Sequence, residues 1–185
     1  MTIHHRRPFA VPPAATFGEM PYKHRIYEPG SAWHMTSRGV DRAPIFFEDF
    51  DRLAFLALLE KVTKLVGWCV VAWCLMETHY HLLLFAGREP QVSLGLQMLN
   101  SQYARELNRR YDRRGHLFGE RYRPTPIVTD EHLVGAIAYT LRNPVRAGLV
   151  DRVEDWSWSG TTRLEPRRIG TLSAHSRDVL VRSRG

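Results

Sequence analysis

The pattern of apolar and polar positions along the chain predicts three helices. Residues 49–66 carry an apolar stripe at helical spacing, which we assign to Phe50, Leu53, Ala57, Leu58 and Leu65. Residues 91–112 repeat the pattern on one face, with apolar positions at Val92, Leu96, Leu99, Tyr103 and Leu107. A third helix begins after Thr129, a residue type favoured at helix N-termini. It is expected to end near Asn143, because Pro144 disfavours helical geometry in the residue before it.

Strand-like runs alternate with these helices. Residues 32–38, 68–76 and 78–85 are rich in aromatic, β-branched and other apolar residues, and a short turn separates the last two runs. Residues 121–128 contain two prolines, which confine a strand to the edge of a sheet. The order β-α-β-β-α-β-α predicts an α+β domain, namely an antiparallel sheet of ferredoxin-like type with the helices on one face.

Composition divides the chain into three parts. Residues 1–22 are rich in Pro, Ala and His and are expected to form a loose leader, whereas residues 23–160 form one domain. Residues 161–185 contain six arginines and are expected to be a basic tail that can lie along a polyanion. The uncharged, strongly apolar run at residues 65–76 is too short to cross a bilayer, and the N-terminus lacks the apolar segment of a signal peptide.

The net charge of the chain indicates what kind of partner it could bind. Lys and Arg number 26 against 19 Asp and Glu, which gives a formal net charge of +7 and a sequence pI near 9.8. Most of the positive charge is arginine, whose planar guanidinium matches phosphate oxygens, so a nucleic acid is one expected partner. A basic surface without a specific partner is the alternative. Cys69 and Cys74 lie five residues apart, which predicts opposite faces of a strand and no disulfide, and a cytoplasmic, nucleoid-associated protein is expected.

Two histidines alternate with a tyrosine in the third predicted strand. His79 and His81 share a strand face, whereas Tyr80 points the other way. Two imidazoles side by side suit a divalent metal ion. The alternative is a pair of hydrogen-bonded core histidines.

A tyrosine and an asparagine occupy the last predicted helix. Tyr139 and Asn143 are four residues apart and therefore share a helix face, and we place the core stripe of Leu133, Ile137 and Leu141 on roughly the opposite side. Packing does not explain a tyrosine on the polar face. The alternative is a surface tyrosine whose hydroxyl reaches water.

A basic stretch covers residues 108–123. Its arginines alternate with aromatic side chains at Tyr111, His116, Phe118 and Tyr122. Phosphate-binding and base-stacking groups in this mixture are typical of a single-stranded nucleic-acid groove. The alternative is a solvated helix end followed by a loop whose aromatic side chains fill the core.

Five motifs in order give a family resemblance over the body of the chain. They are the AWHMTSRG strand at residues 32–39, the His79-Tyr80-His81 strand, the NRRY-to-RYR block at residues 108–123, the tyrosine-to-NPV segment at residues 139–150 and DWSWS at residues 155–159. The chain resembles the single-tyrosine HUH transposases and most closely the REP-associated tyrosine transposases. The chain differs from the family pattern at Tyr80, where the family usually carries a purely apolar side chain.

The resemblance implies a complete set of roles. It implies that His79, His81 and Asn143 bind Mg²⁺ or Mn²⁺, and that Tyr139 is the nucleophile of a transposase that cleaves single-stranded DNA through a 5′-phosphotyrosine. It also implies hairpin DNA formed by palindromic repeats as the partner of a monomer or homodimer. The expected DNA contacts are Arg38, Arg109, Arg110, Arg113, Arg114, His116, Arg121, Arg123 and Arg142.

Three other functions are compatible with the same residues. A domesticated relative could bind hairpin DNA without cleaving it. A zinc hydrolase could combine the histidine pair with a carboxylate such as Glu77. A protein that binds structured RNA would show the same basic surface.

Overall fold

The computed structural model describes residues 27–89 and 91–162. The predicted leader, residues 1–22, lies outside the described residues, as does the predicted tail beyond Thr162. The described chain runs through β1 (Ala32–Arg38), α1 (Asp49–Val66), β2 (Cys69–Met76), β3 (His79–Phe85), α2 (Val92–Arg110), β4 (Arg123–Ile127), α3 (Asp130–Arg146) and β5 (Ser159–Thr161). Short 3₁₀ helices at Val40–Arg42 and Val153–Asp155 follow β1 and α3. In these parts of the chain no helix is long and apolar enough to cross a membrane.

The strands described here form one antiparallel sheet in the order β4-β1-β3-β2-β5. The central pair, β1 and β3, is in register so that Thr36 lies opposite His81 and Arg38 opposite His79. The sequence patterns predicted each element except β5, whose three residues show no alternation of their own. The α+β class and the antiparallel sheet are therefore confirmed.

The helices cover both faces of the sheet rather than one, which corrects the predicted layering. α1 and α2 pack together over the face that carries Tyr80, Leu82 and Leu84. α3 covers the opposite face, where Leu83 and Phe85 pack against its own apolar side chains. The reason is visible in β3, where the run of apolar residues from Leu82 to Phe85 serves both faces, and each apolar face requires a cover.

The α1 helix has the predicted bounds but a different buried face. Its buried apolar side chains are Phe55, Leu58, Leu59, Val62 and Val66. The predicted stripe members Phe50, Leu53 and Leu65 are instead exposed, so the assigned stripe was rotated around the helix. In α2, by contrast, all five predicted apolar positions are buried, and the predicted face is confirmed.

A β-bulge interrupts the pairing of β2 with β3. Val70 lies opposite Leu84 and Ala72 opposite Leu83, so Val71 is an extra residue in the ladder. As a result Cys69 lies opposite Phe85 and Cys74 opposite His81, which places both cysteines on the same sheet face. The prediction of opposite faces was wrong because regular alternation fails across the bulge. Neither cysteine forms a disulfide.

The α3 helix continues past Pro144 and ends at Arg146, three residues beyond the predicted end. Proline has no N–H to donate to the carbonyl four residues earlier, which is that of Thr140. The Asn143 side-chain Nδ2 donates to this carbonyl at 3.4 Å and to the Tyr139 carbonyl at 2.9 Å. The side chain before the proline thus supplies the donor that the proline lacks, and the helix is not forced to stop.

Candidate active site

A cavity of about 990 Å³ opens on the α3 side of the sheet. Its lining comes from β1 and the loop after it, from β3, from residues 119–125 and from α3. Six of the predicted site residues line it, namely Arg38, His79, His81, Arg121, Arg123 and Tyr139. Residues that are far apart in sequence therefore meet at one surface, as the predicted site requires.

The two histidines of β3 share the face toward this cavity. His81 is 5% exposed, and its Nδ1 lies 3.0 Å from Nε2 of His34, whereas its buried Nε2 has no hydrogen-bond partner. His79 Nδ1 lies 3.0 Å from the Thr78 hydroxyl. Burial lowers the pKa of His81 to about 3, with smaller effects of His34, His79 and Arg38. Burial also lowers the pKa of His79 to about 4, and Arg38 adds to that shift. Both imidazoles are therefore neutral near pH 7, which is the form that binds metal ions.

A third histidine belongs to the cluster, and sequence reasoning gave it no role. His34 of β1 lies edge to edge with His81, with ring centroids 5.1 Å apart and an interplanar angle of 18°. Burial lowers the pKa of His34, and the nearby His132 adds to the effect. The alternation of β1 places His34 on the same face as Thr36, so its face could have been predicted. The pairing of β1 with β3, which brings it to His81, could not.

Tyr139 stands at the border between the buried and exposed sides of α3. The buried side of the helix consists of Leu133, Ala136, Thr140 and Pro144. The predicted stripe through Leu141 was therefore rotated, and Tyr139 flanks the core rather than opposing it. Its ring lies edge-on to His34 and His81, with centroids 5.9 and 6.0 Å away, and is 43% exposed. The side chain thus combines access to solvent with contact to the histidine cluster.

Asn143 is not among the described residues that line the cavity. Its Nδ2 is held by two helix carbonyls, as described above, and this leaves Oδ1 as the group with free lone pairs. A side-chain amide oxygen is a suitable ligand for Mg²⁺ or Mn²⁺. The structure therefore leaves the amide oxygen of Asn143 available as a ligand, but it does not place this side chain in the cavity with the histidines.

The side-chain atoms at the cavity provide some, but not all, of the ligands that a divalent cation requires. Within residues 27–89 and 91–162, no group of three or more His, Cys, Asp or Glu has the arrangement of a metal site. The unpartnered, buried Nε2 of His81 is nevertheless a donor without any other function in the fold. Glu77, the carboxylate of the zinc-hydrolase alternative, lies in the β2–β3 turn and is absent from the described lining of the cavity.

Four arginines surround the cavity. Arg38, Arg121 and Arg123 were predicted, whereas Arg42, in the 3₁₀ helix after β1, was not. Arg123 is engaged in an ion pair with Glu120. Arg42 and its neighbour Asp41 adopt φ values of 60° and 50°, a left-handed conformation that is uncommon for residues other than glycine.

The predicted patch at the end of α2 contains arginines of two kinds. Arg110 lies 2.9 Å from Glu48 and 3.8 Å from Asp51, and it stacks 4.1 Å from the ring centre of Phe50, so it ties α2 to α1. Arg113 stacks on Phe47 at 5.3 Å. Arg109, Arg114 and His116 near the end of α2, and Arg142 on α3, are exposed. The guanidinium of Arg110, which was predicted to contact DNA, thus has a structural role in joining α2 to α1.

Tyr80 faces away from the cavity, as predicted. It is fully buried under α1 and α2, and its hydroxyl donates to Asn100 Oδ1 at 2.7 Å. Asn100 Nδ2 in turn donates to the hydroxyl of Ser37 at 3.1 Å. The polar tip of Tyr80 is therefore satisfied inside the core and does not reach the histidines.

The model of the family described as "Transposase IS200 like" matches residues 30–134, more than half of the 185 residues. The chain belongs to the IS200-like transposase family. The match includes His79 and His81 and ends before Tyr139 and Asn143, so it does not bear on the two α3 residues. Family membership confirms the resemblance drawn from the sequence motifs.

Two further proteins are similar to this IS200-like transposase. A curated protein of Haemophilus influenzae, whose name describes it as a REP-associated tyrosine transposase, is 24% identical over 149 residues, which are 75% of this chain and 84% of that protein. A solved REP-associated tyrosine transposase bound to a REP hairpin shares the fold with a TM-score of 0.64 and 19% identity, over 76% of this chain and 82% of that one.

Proposed function

We propose that this IS200-like transposase is a metal-dependent, single-stranded DNA endonuclease and strand transferase that recognises DNA hairpins. The observation that carries the proposal is the position of Tyr139, whose ring contacts His34 and His81 at a cavity that His79 also lines. A tyrosine, neutral imidazoles and arginines around one cavity are the groups that phosphodiester cleavage through a phosphotyrosine requires.

The histidines and Asn143 are the proposed metal ligands. His81 offers its unpartnered Nε2, His79 offers the ring nitrogen that does not face Thr78, and Asn143 offers Oδ1. A bound Mg²⁺ or Mn²⁺ supplies Lewis-acid polarisation of the scissile phosphate. The proposal requires the Asn143 side chain to approach the histidines when the cation and DNA bind.

Tyr139 is the proposed nucleophile. Its phenolic oxygen forms a bond to phosphorus and loses its proton, while the bond from phosphorus to the 3′-oxygen breaks and that oxygen takes a proton. The products are a free 3′-hydroxyl and a 5′-phosphotyrosine. Arg146, whose guanidinium lies 5.4 Å from the Tyr139 ring centre, places a positive charge beside the group that becomes negative. Because the ester is retained, attack by another 3′-hydroxyl reverses the step and joins a different end.

DNA hairpins are the proposed substrate. The relative with the same fold was solved with a REP hairpin. In this chain, Arg38, Arg42 and Arg121 line the cavity, and Arg109 and Arg114 are exposed near the end of α2. Guanidinium groups at these positions can contact phosphates on either side of the scissile bond.

A covalent-trapping assay tests the proposal. Hairpin DNA with a single-stranded flank, taken from palindromes that neighbour the gene, is labelled at either end and incubated with the protein and Mn²⁺ before denaturing electrophoresis. A 5′-phosphotyrosine requires that the 3′-label shifts with the protein and the 5′-label is released as a shorter strand. Tyr139→Phe should give neither product while it retains hairpin binding. Tyr27→Phe, which removes a buried hydroxyl outside the cavity lining, is the matched control and should react normally.

A non-cleaving hairpin-binding protein is the second candidate. The position of Asn143 outside the cavity lining favours it, because a site without its third ligand would bind DNA but hold the metal weakly. Tight hairpin binding by the unaltered protein, without adduct in Mg²⁺ or Mn²⁺, would select this candidate and refute the cleavage mechanism.

A further inference from the structure

His34 has no role in the mechanism above, although it is the closest polar neighbour recorded for His81. It stands on β1 two residues before Thr36, the residue that pairs directly with His81. The side chain is half-buried and lines the cavity between His81 and Tyr139. Its ring is nearly parallel to that of His81, and the shortest polar contact joins its Nε2 to His81 Nδ1 at 3.0 Å.

This contact permits two arrangements of protons between neutral rings. In the first, His81 Nδ1–H donates to His34 Nε2, and His81 Nε2 then carries a lone pair. In the second, His34 Nε2–H donates to His81 Nδ1, and His81 Nε2 then carries a hydrogen. The second arrangement buries an N–H without an acceptor, since Nε2 of His81 has no partner, and it cannot bind a cation.

We propose that His34 is a positioning residue that accepts the Nδ1–H of His81 and thereby presents His81 Nε2 as a lone-pair donor to the divalent cation. The inference rests on the proposed function, because it assumes that His81 is a ligand. Metal-binding histidines generally donate their second ring N–H to an acceptor that fixes the tautomer and the ring orientation. In this chain the acceptor is another imidazole, whose ring lies edge to edge with that of His81 at an interplanar angle of 18°.

Metal binding without DNA tests the inference independently of cleavage. Free Mn²⁺ is measured by electron paramagnetic resonance in titrations of the full-length protein. His34→Met retains most of the side-chain volume but lacks a strong acceptor, and it should weaken Mn²⁺ binding by about 10–100-fold. His34→Gln has a similar shape and an oxygen that can accept from His81 Nδ1, and it should recover most of the loss. His132→Ala removes an exposed histidine near His34 and should bind Mn²⁺ as the unaltered protein does.

Each outcome decides between defined alternatives. Unchanged Mn²⁺ binding in His34→Met, with binding lost in His81→Ala, would overturn the positioning role and leave the metal site intact. Equal loss in His34→Met, His34→Gln and His81→Ala would also overturn it, because His34 would then be a ligand itself. If His79→Ala and His81→Ala both bind as before, the metal site of the proposed function fails.

A measurement on the unaltered protein avoids dependence on the folding of any variant. Long-range proton–nitrogen correlation spectra distinguish the two neutral tautomers of a histidine by the shifts of its ring nitrogens. The metal-free protein should show His81 with its proton on Nδ1. A proton on Nε2 of His81 would refute the inference.

Discussion

The hydroxyl of Tyr80 provides a test of how this fold accommodates a polar group inside its core. Tyr80→Phe removes the hydrogen bond to Asn100 Oδ1, which is 2.7 Å long and is made by a fully buried side chain. Burial raises the pKa of Tyr80, so the hydroxyl remains a donor at ordinary pH. Loss of one partner of a buried hydrogen bond costs about 1–3 kcal/mol, and we expect the lower half of that range because Asn100 is only half-buried.

Chemical denaturation with urea measures this cost as a lower midpoint at an unchanged slope. In thermal unfolding, each kcal/mol corresponds to a decrease of about 2–4 °C for a domain of this size. Asn100→Leu should lower the free energy of unfolding more than Tyr80→Phe does, because it also breaks the hydrogen bond to the Ser37 hydroxyl. The double variant should lose less free energy of unfolding than the two single variants together. When both side chains are replaced, neither leaves the other with an unpaired polar group.

Additive costs in the double variant would refute the reasoning, because they would show that Tyr80 and Asn100 do not interact. A stability of Tyr80→Phe equal to or above that of the unaltered protein would refute it as well. The covalent adduct of the folded Tyr80→Phe protein should form at the normal rate, because Tyr80 lies on the sheet face away from Tyr139. A slower reaction would show that the two faces are coupled.

Three further predictions concern helix packing, DNA contact and helix capping. Gly95→Ala should lower the free energy of unfolding by about 1–3 kcal/mol in urea, because the added methyl would overlap the buried ring of Trp68. Arg109→Ala should reduce the slope of log hairpin affinity against log salt concentration by about 1, whereas Arg110→Ala should leave the slope unchanged and lower stability instead. Thr129→Ala removes the side-chain oxygen that accepts the first-turn N–H of α3 and should cost about 1 kcal/mol in thermal unfolding.

The elements of this fold were predictable because each is encoded locally. The apolar composition of β3 and the periodicity of α2 predicted bounds that the structure matches within two residues. The geometry of a strand, in which residues two apart share a face, placed His79 and His81 on one face and Tyr80 on the other. These predictions needed only the geometry of an isolated strand or helix, so no knowledge of neighbouring elements was required.

The features that were missed depend on contacts between elements. His34 joins the histidine cluster through the pairing of β1 with β3, and Arg110 is engaged by acidic residues about 60 positions away in sequence. The buried face of α1 was assigned wrongly because Phe50 and Leu53 remain exposed, which a pattern of apolar residues cannot indicate. The continuation of α3 through Pro144 depends on the side chain of Asn143, whose hydrogen bonds are specific to this helix.

The extra residue in β2 affects the helix that carries the proposed nucleophile. Val71 breaks the regular ladder, yet it is 1% exposed and packs in the same cluster as Leu133 and Ala136 of α3. Deleting Val71 would make the ladder regular while every other residue of β2 kept its present face. The strand can therefore change in length by one residue at this point without reversal of its faces. The deletion would remove the apolar side chain of Val71 that packs beneath α3. Val71 therefore helps to support the helix that carries Tyr139.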